Sequence, residues 1–489
     1  MRDIEPIDAN ISHRMKKVDE TAVDTMLAEE LNHLNRKIVV LDDDPTGVQT
    51  VHNISVYTEW NEESVCRGFE EANSMFFILT NSRSFTANES ARAHRELARN
   101  IVNASRLTGK DFILISRSDS TLRGHYPLET QVLRSVAEAS GDKVYDGEII
   151  VPFFKEGGRV TIDNVHYVKD GDRLIPAGRT EFAWDKSFGY RNSHLGDYIE
   201  EKTKGQYRAE DCIYISLDEL RDIRIGEIAE KLMQVKDFNK VIVNAVDYCD
   251  IKVFATAFIK AVLQGKEFIF RCAAAIPKVL GGVPDKQLLG KDELVAPDSA
   301  HGGIILVGSH VNKTTMQLEE LQKSSYSIEF IEFNQHLVLQ PGGLDGEVRR
   351  VVALAEQKIA AGRTVAVYTR RERLDWNTED KDRQLQISVA ISDAVTSIIG
   401  KLGIRPNFII AKGGITSSDV GTKALHVKKA VVMGQIKPGI PVWLTGAESK
   451  FPNLPYIIFP GNVGEVATLR EVVELLMDES GKERNYAWQ

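Results

Sequence analysis

KIVVLDDDPTGVQT, residues 37–50, decides how the rest of the chain is read. An apolar, β-branched run stops on Asp42, Asp43 and Asp44, and Pro45, Thr46 and Gly47 then turn the chain. A short apolar run bounded by turn residues reads as a buried strand. In open α/β sheets, ligands bind at the carboxyl edge of the strands. Strand alternation would point Asp42 and Asp44 one way and Asp43 the other. Three adjacent carboxylates repel one another, so a metal, a proton or an arginine must offset them.

Outward from this stretch the pattern repeats. MFFILTN (75–81), DFILISR (111–117), GEIIVPFF (147–154), CIYIS (212–216) and KVIVNA (240–245) are apolar runs of strand length. Helix-period stretches lie between several of them, such as NESARAHRELARNIVNAS (88–105) and PLETQVLRSVAEAS (127–140). Alternating strands and helices imply a mostly parallel sheet with helices on its faces. VHYVKDGDRLIPAG (165–178) departs from this, and its Asp170-Gly171-Asp172 turn predicts a hairpin insertion. Periodicity disappears over residues 281–302, where glycine, proline and charge accumulate, and a second α/β series begins at GIILVGSH (303–310). The predicted fold is α/β, with two domains, each a mostly parallel sheet flanked by helices, and a hairpin insertion in the first. The predicted organisation is a helical extension (1–35), a first domain (36–280), a linker (281–302), a second domain (303–478) and a tail (479–489).

A chain of 489 residues exceeds one ordinary core. The net charge of −9 argues against a nucleic-acid partner. No apolar run approaches the roughly 20 residues that span a bilayer, and MRDIEPIDANISHRMKKVDE at the start lacks the apolar core of a secretory signal. The four cysteines are scattered without CxxC spacing, which favours buried thiols in a reducing compartment. Cytoplasm is the expected location.

Two chemistries use aspartates at a strand end. Asp42-x-Asp44 has the opening spacing of haloacid-dehalogenase-type phosphatases, with Asp42 as nucleophile. That reading needs a late acidic pair, for which VNAVDYCD (243–250) is a loose candidate, and it leaves the second half without a task. The other reading takes Asp43, Asp44, Thr46 and Gly47 as the unit. Two further strand ends support it. SRSDSTLRGH (116–125) supplies Arg117, Ser118, Asp119 and Arg123, and TNSRS (80–84) supplies Ser82 and Arg83. Arginines beside hydroxyls suit a polyhydroxylated carboxylate. In the second half, IIAKGGITSSD (409–419) is a strand, a Gly-Gly turn and a hydroxylated helix start, a pattern that favours phosphate. GSHVNKTTMQ (308–317) and FPGNVGE (459–465) repeat the logic, and the chain has no GxxxxGK[ST] loop.

In this combination the chain resembles the four-carbon acid sugar kinases, from about residue 37 to 478. DDPTG, NSR, SDSTLRG, GSH with TTMQ, GGIT and GNVG carry the resemblance, SDSTLRG most specifically. It implies an N-terminal acid-sugar domain and a C-terminal ATP domain. The implied enzyme is an ATP-dependent kinase that phosphorylates a hydroxyl of threonate, erythronate or 3-oxo-tetronate, with Mg2+ bridging the nucleotide's phosphates. Asp43 and Asp44 would be catalytic, unranked by sequence. Thr46, Ser82, Arg83, Ser118, Asp119 and Arg123 would bind the sugar acid, with Arg83 and Arg123 holding its carboxylate. Ser309, Gly413, Gly414, Ile415, Thr416 and Gly461 would bind ATP. Ile415 stands where the family usually has an acidic residue, and Arg117 where lysine is common. The expected partners are the sugar acid and ATP, without nucleic acid or membrane, and a homodimer is the assembly considered. A non-catalytic sugar-acid sensor on the same fold is the third reading.

Overall fold

The computed structural model describes residues 2–478 apart from 142, 297–298, 373, 375–380 and 462, and of residues 12, 13, 381–385 and 415 only the backbone. The expected tail, 479–489, lies outside the described residues. The chain forms two compact units that divide between Asp285 and Lys286.

The first unit holds strands β1 (Ile7–Asp8), β2 (Lys37–Asp42), β3 (Ser55–Tyr57), β4 (Met75–Leu79), β5 (Phe112–Arg117) and β6 (Gly147–Val151). It continues with β7 (Arg159–Ile162), β8 (Val165–Asp170), β9 (Arg173–Pro176), β10 (Ile213–Ile215), β11 (Asn239–Val243) and β12 (Phe268–Cys272). Eight of these make one parallel sheet in the order β10-β11-β6-β12-β5-β2-β4-β3. Every residue of β2, β4, β5, β6 and β12 is buried, as expected of strands covered by helices on both faces. Phe69 packs edge to face against both Phe76 and Phe112 in the core. The helix predicted over 88–105 runs from Ala87 to Thr108 and starts with a Thr86–Glu89 capping box.

The predicted hairpin is the β8–β9 pair, with Gly171 at φ 56° in its turn. It belongs to a separate antiparallel sheet, β1-β9-β8-β7. The first 35 residues are therefore not only helical. They contain the helix Glu20–His33, and they also contribute β1 to this sheet. A two-residue strand leaves no periodicity to read in the sequence.

The second unit contains β13 (Ile304–Val307), β14 (Ile328–Phe333), β15 (Thr364–Thr369), β16 (Ile409–Lys412), β17 (Lys429–Lys437), β18 (Ile440–Thr445) and β19 (Pro455–Phe459). Within it the order is β17-β18-β19-β16-β13-β15-β14, parallel from β19 to β14 and antiparallel at β17 and β18. Residues 281–302 include a short helix, Lys291–Leu294, and bury Leu289, Leu294 and Val295 in this unit's core. Among the described residues no helix is long and apolar enough to cross a membrane.

Both sheets reverse direction at one strand. After β2 the chain builds β3 and β4 on one side and β5 on the other, and after β13 it builds β14 and β15 on one side and β16 on the other. Such switch points open a crevice at the strands' carboxyl ends.

Candidate active site

Four strands of the first unit end level with one another. Asp42 is paired in register with Leu79 and Arg117, and Arg117 with Cys272. The polar residues that follow these ends converge there. Strand β2 stops at Asp42, so the alternation expected through Asp44 does not apply. Instead the chain bends, and each aspartate has its own surroundings.

Asp42 is buried at 1% exposure. Its Oδ1 accepts from Arg117 Nη1 at 3.1 Å and from the Asp44 amide at 3.3 Å. A Cβ on Gly47 would overlap this carboxylate, so only glycine lets the turn close over it. Burial pushes the Asp42 carboxyl up to about 7, with Arg117 opposing. A phosphatase nucleophile must meet phosphate, and Asp42 is sealed behind Gly47. The late acidic pair expected by that reading is also engaged elsewhere. Asp247 and Asp250 form the capping box of the helix Tyr248–Leu263, and Asp250 pairs with Arg221.

Asp43 is equally buried, but it is not fully bonded. Oδ2 accepts from Ser118 Oγ at 2.6 Å. Oδ1 lies 3.4 Å from Arg83 Nε and 3.7 Å from Arg117 Nη1, yet accepts no hydrogen bond. Burial raises this carboxyl above the usual carboxylate range, and Arg83 and Arg117 oppose it. Asp44 is the opposite case. Its Oδ1 accepts from the Thr46 amide at 2.8 Å and from the Thr46 hydroxyl, and its Oδ2 pairs with Arg83 Nη2. Burial acts to raise it, but Arg83 and Thr46 outweigh burial and hold it below the usual range. Arg83 thus binds the first two residues of the expected unit and also lies 3.6 Å from Asp119.

The loop after β5 is held unusually firmly. Asp119 accepts from Arg123 Nε at 2.7 Å and from Thr121 Oγ1. Burial would raise its carboxyl, but Arg123 and Arg83 drive it well below the ordinary range. Four consecutive carbonyls of this loop are each bound by a side chain. Ser120 O meets His166 Nε2 at 2.7 Å, Thr121 O accepts from Tyr190 OH at 2.8 Å, Leu122 O from Tyr198 OH at 3.0 Å, and Arg123 O lies 3.1 Å from Ser118 Oγ, whose single proton it shares with the closer Asp43 Oδ2. A carbonyl can only accept, so the His166 proton sits on Nε2, and burial holds this imidazole down at about 4. Gly124, at φ 127°, leaves space that a Cβ would take from Arg271 Nη2 at 2.6 Å and Ser118 Oγ at 2.8 Å.

Ser82 is fully buried and donates to Glu129 Oε1 at 2.6 Å. Glu129 also accepts from Ser90 at 3.1 Å and from Arg271 Nη1 at 2.5 Å, with His94 Nε2 at 3.8 Å. Burial opposes its ionisation, but Arg271 and His94 hold its carboxyl at about 2. Glu129 and Arg271 were not singled out from the sequence. Arg271 stands one residue before the end of the run FIFRC, another strand end of the same kind, and was legible there. Glu129 sits in the first turn of the helix Leu128–Ala139, where an acidic residue reads as an ordinary cap. The segment Glu181–Tyr198 also reaches the site. Phe182 lies 5.1 Å from the Arg123 guanidinium, and Asp185 lies 3.9 Å from its Nη1. His52 and His125 hydrogen-bond backbone carbonyls of Pro284 and Phe85.

In the second unit the three Gly-rich turns meet. A Cβ on Gly308 would overlap Thr416 Oγ1, and one on Gly413 would stand 3.1 Å from Ser309 Cβ. One on Gly461 would stand 3.5 Å from Ser309 Oγ, whereas one on Gly414 would face open space. Gly413 has φ 128°, a conformation that L side chains avoid. Thr314 Oγ1 donates to Gly461 O at 3.2 Å, and Gln317 Nε2 to Glu465 O at 2.8 Å, so TTMQ braces the third turn. The side chain of Ile415 lies outside the described residues. Lys412, which precedes the glycines, was missed by the sequence reading. It is fully buried, donates to Pro460 O at 2.6 Å, and is pushed down to about 7 by burial. Among the described residues no three His, Cys, Asp or Glu side chains are gathered for a metal.

Residues 38–280 match the family model described as a sugar-binding N-terminal domain, and residues 304–469 match the one described as a nucleotide-binding C-terminal domain. The fold and its two strand-end sites therefore define a protein that couples a sugar-binding domain to a nucleotide-binding domain. The two models together span most of the chain, which belongs to the family with this pair of domains. Two solved structures share the fold. One is a Salmonella typhimurium LT2 protein designated a candidate tRNA synthase, with TM-score 0.62 and 15% identity over 88% of this chain and 98% of that one. The other is a Haemophilus influenzae protein of the DUF1537 family, with TM-score 0.57 and 15% identity over 89% of this chain and 99% of that one. No curated protein sequence matches the chain.

Proposed function

We propose that the protein is an ATP-dependent kinase that phosphorylates a hydroxyl of a small sugar acid, such as threonate, erythronate or 3-oxo-tetronate. The observation that carries this reading is Asp43 Oδ1. It is a buried carboxylate oxygen without a hydrogen bond, at the switch point of the sugar-binding sheet. Phosphoryl transfer needs positioning, charge neutralisation and a group that accepts the hydroxyl proton. Asp43 has a carboxylate oxygen without a hydrogen bond and, through burial, a raised proton affinity, both of which suit a general base. Asp44 has neither, because Thr46 and Arg83 use both its oxygens. Asp43 is therefore the base, and Asp44 positions Arg83 and the turn.

The hydroxyl oxygen would form the new bond to the γ-phosphorus while its proton passes to Asp43 Oδ1, and ADP would leave with the electron pair of the broken bond. Arg83 and Arg117 oppose the effect of burial on Asp43 and favour its ionised form. Backbone amides from Ser309, Gly413 to Thr416 and Gly461 would bind the phosphates, with room left over Gly414. Bound Mg2+ would supply the remaining charge neutralisation. The test is ATP consumption by the full chain against a panel of four- to six-carbon sugar acids with Mg2+. Acid-dependent ADP release supports the kinase. Tight sugar-acid and nucleotide binding without turnover would instead favour a sensor.

A further inference from the structure

The kinase reading leaves one cation near the site without a task. Arg159 opens β7 in the inserted antiparallel sheet, away in sequence from every motif above. It is half-buried, and its Nε is buried without a hydrogen-bond partner. One of its terminal nitrogens donates to Gly157 O, and its guanidinium stands 5.8 Å from the Phe182 ring. The Arg123 guanidinium lies 5.1 Å from that same ring. Asp119, the carboxylate that acts on Arg159, is already bonded by Arg123 and Thr121. Among the described residues no ion pair forms to Arg159. Gly157 permits the arrangement, because a Cβ there would stand 2.6 Å from Arg159 Nη1 and 2.5 Å from the Phe154 ring.

The other arginines of the site are committed. Arg83 is tied to Asp43, Asp44 and Asp119, Arg117 to Asp42, and Arg271 to Glu129. An arginine held beside an aromatic ring, next to a second arginine and without its own carboxylate, is a site for an anion that arrives from outside. We infer that Arg159 is the anchor for the carboxylate of the sugar acid, with Arg123, which lies near the same Phe182 ring, as its second support. This inference rests on the sugar-acid reading of the first unit and adds the residue that selects an acid over a neutral sugar. Asp119 and Ser118 then face the hydroxyls, and the carboxylate end lies toward the inserted sheet.

The test uses calorimetry on the full chain, with four- to six-carbon aldonates and the neutral alditols of the same lengths as probes. Wild type should prefer at least one aldonate to its alditol. Arg159→Ala should lower that aldonate's affinity by about 10- to 100-fold, the scale of one lost charge-assisted contact. Alditol binding and binding of a non-hydrolysable ATP analogue should be unchanged. Arg159→Gln keeps a donor for Gly157 O and should show the same loss, which separates the role from folding. Arg159→Lys should recover little, because the planar fork is gone. Two results would overturn the inference: aldonate preference kept in both Arg159→Ala and Arg159→Gln, or no aldonate preference in wild type. If Arg159 governs aldonate binding but no aldonate stimulates ATP consumption, the anchor stands and the kinase reading falls.

Discussion

Replacing Asp43 by asparagine changes one buried oxygen into an amide nitrogen and removes one charge. The Ser118 hydroxyl can still donate to the remaining oxygen, and Gly124 still leaves the space that the loop requires, so the loop should keep its shape. The proton acceptor is lost, because an amide cannot take the hydroxyl proton. Loss of a general base lowers transfer by about 10²- to 10⁴-fold, or about 2.7–5.5 kcal/mol of barrier. Asp42→Asn and Asp44→Asn serve as companions. Asp42 is sealed behind Gly47 and Asp44 is saturated by Thr46 and Arg83, so both should lose less in transfer rate than Asp43→Asn. The assay is ADP release at saturating ATP and sugar acid, with nucleotide affinity measured in parallel and expected to hold. The wild-type rate should also fall as pH drops through the raised pKa of Asp43, because the base must be ionised to act. If Asp43→Asn turns over within about threefold of wild type while Asp42→Asn is dead, the assignment of the base is wrong.

Glu129→Gln leaves Arg271 buried without its partner and should cost about 3–5 kcal/mol in chemical denaturation. The folded Glu129 carboxyl is depressed to about 2, so its stabilisation is full above the unfolded value near 4.5 and is lost as pH falls toward 2. His166 is depressed to about 4 from 6.5, so the unfolded chain takes up its proton first and stability should drop by about 3 kcal/mol as pH falls from 6.5 to 4; denaturation of His166→Gln across that range should lack this component. Gly413→Ala meets both a positive φ and Ser309, and should weaken binding of an ATP analogue by about tenfold or more in calorimetry while leaving sugar-acid binding intact.

Much of this arrangement was legible because strands and their ends are local. KIVVLDD, FILISR and MFFILT announce buried parallel strands by composition alone, and the turn residues that follow mark where they stop. That Arg83, Ser118 and the aspartates come together follows from β5, β2 and β4 being neighbours. Other features depend on distances that no spacing encodes. The different states of Asp43 and Asp44 arise from which oxygen meets Thr46 or Ser118. Glu129 reads as a helix-capping acid until Arg271, 142 residues later, is seen against it. Arg159 lies in an insertion with no motif, and only its missing partner marks it.

The carbonyls of Ser120, Thr121 and Leu122 are bound by His166, Tyr190 and Tyr198, all from chain outside the parallel strands. In the proposed kinase, responsibility for reactivity and responsibility for choosing the acceptor would thereby be written in different lengths of the chain. In that reading Asp43 and Asp44 directly follow a strand of the parallel sheet, whereas the loop beside them is held in shape by a segment that can drift on its own. A change at Tyr190 or Tyr198 would reshape this loop while leaving the contacts of Asp42 and Asp44 in place. New acceptor ranges should therefore be reached by exchanging residues 159–198 between relatives, while transplanting the DDPTG turn alone should carry none with it.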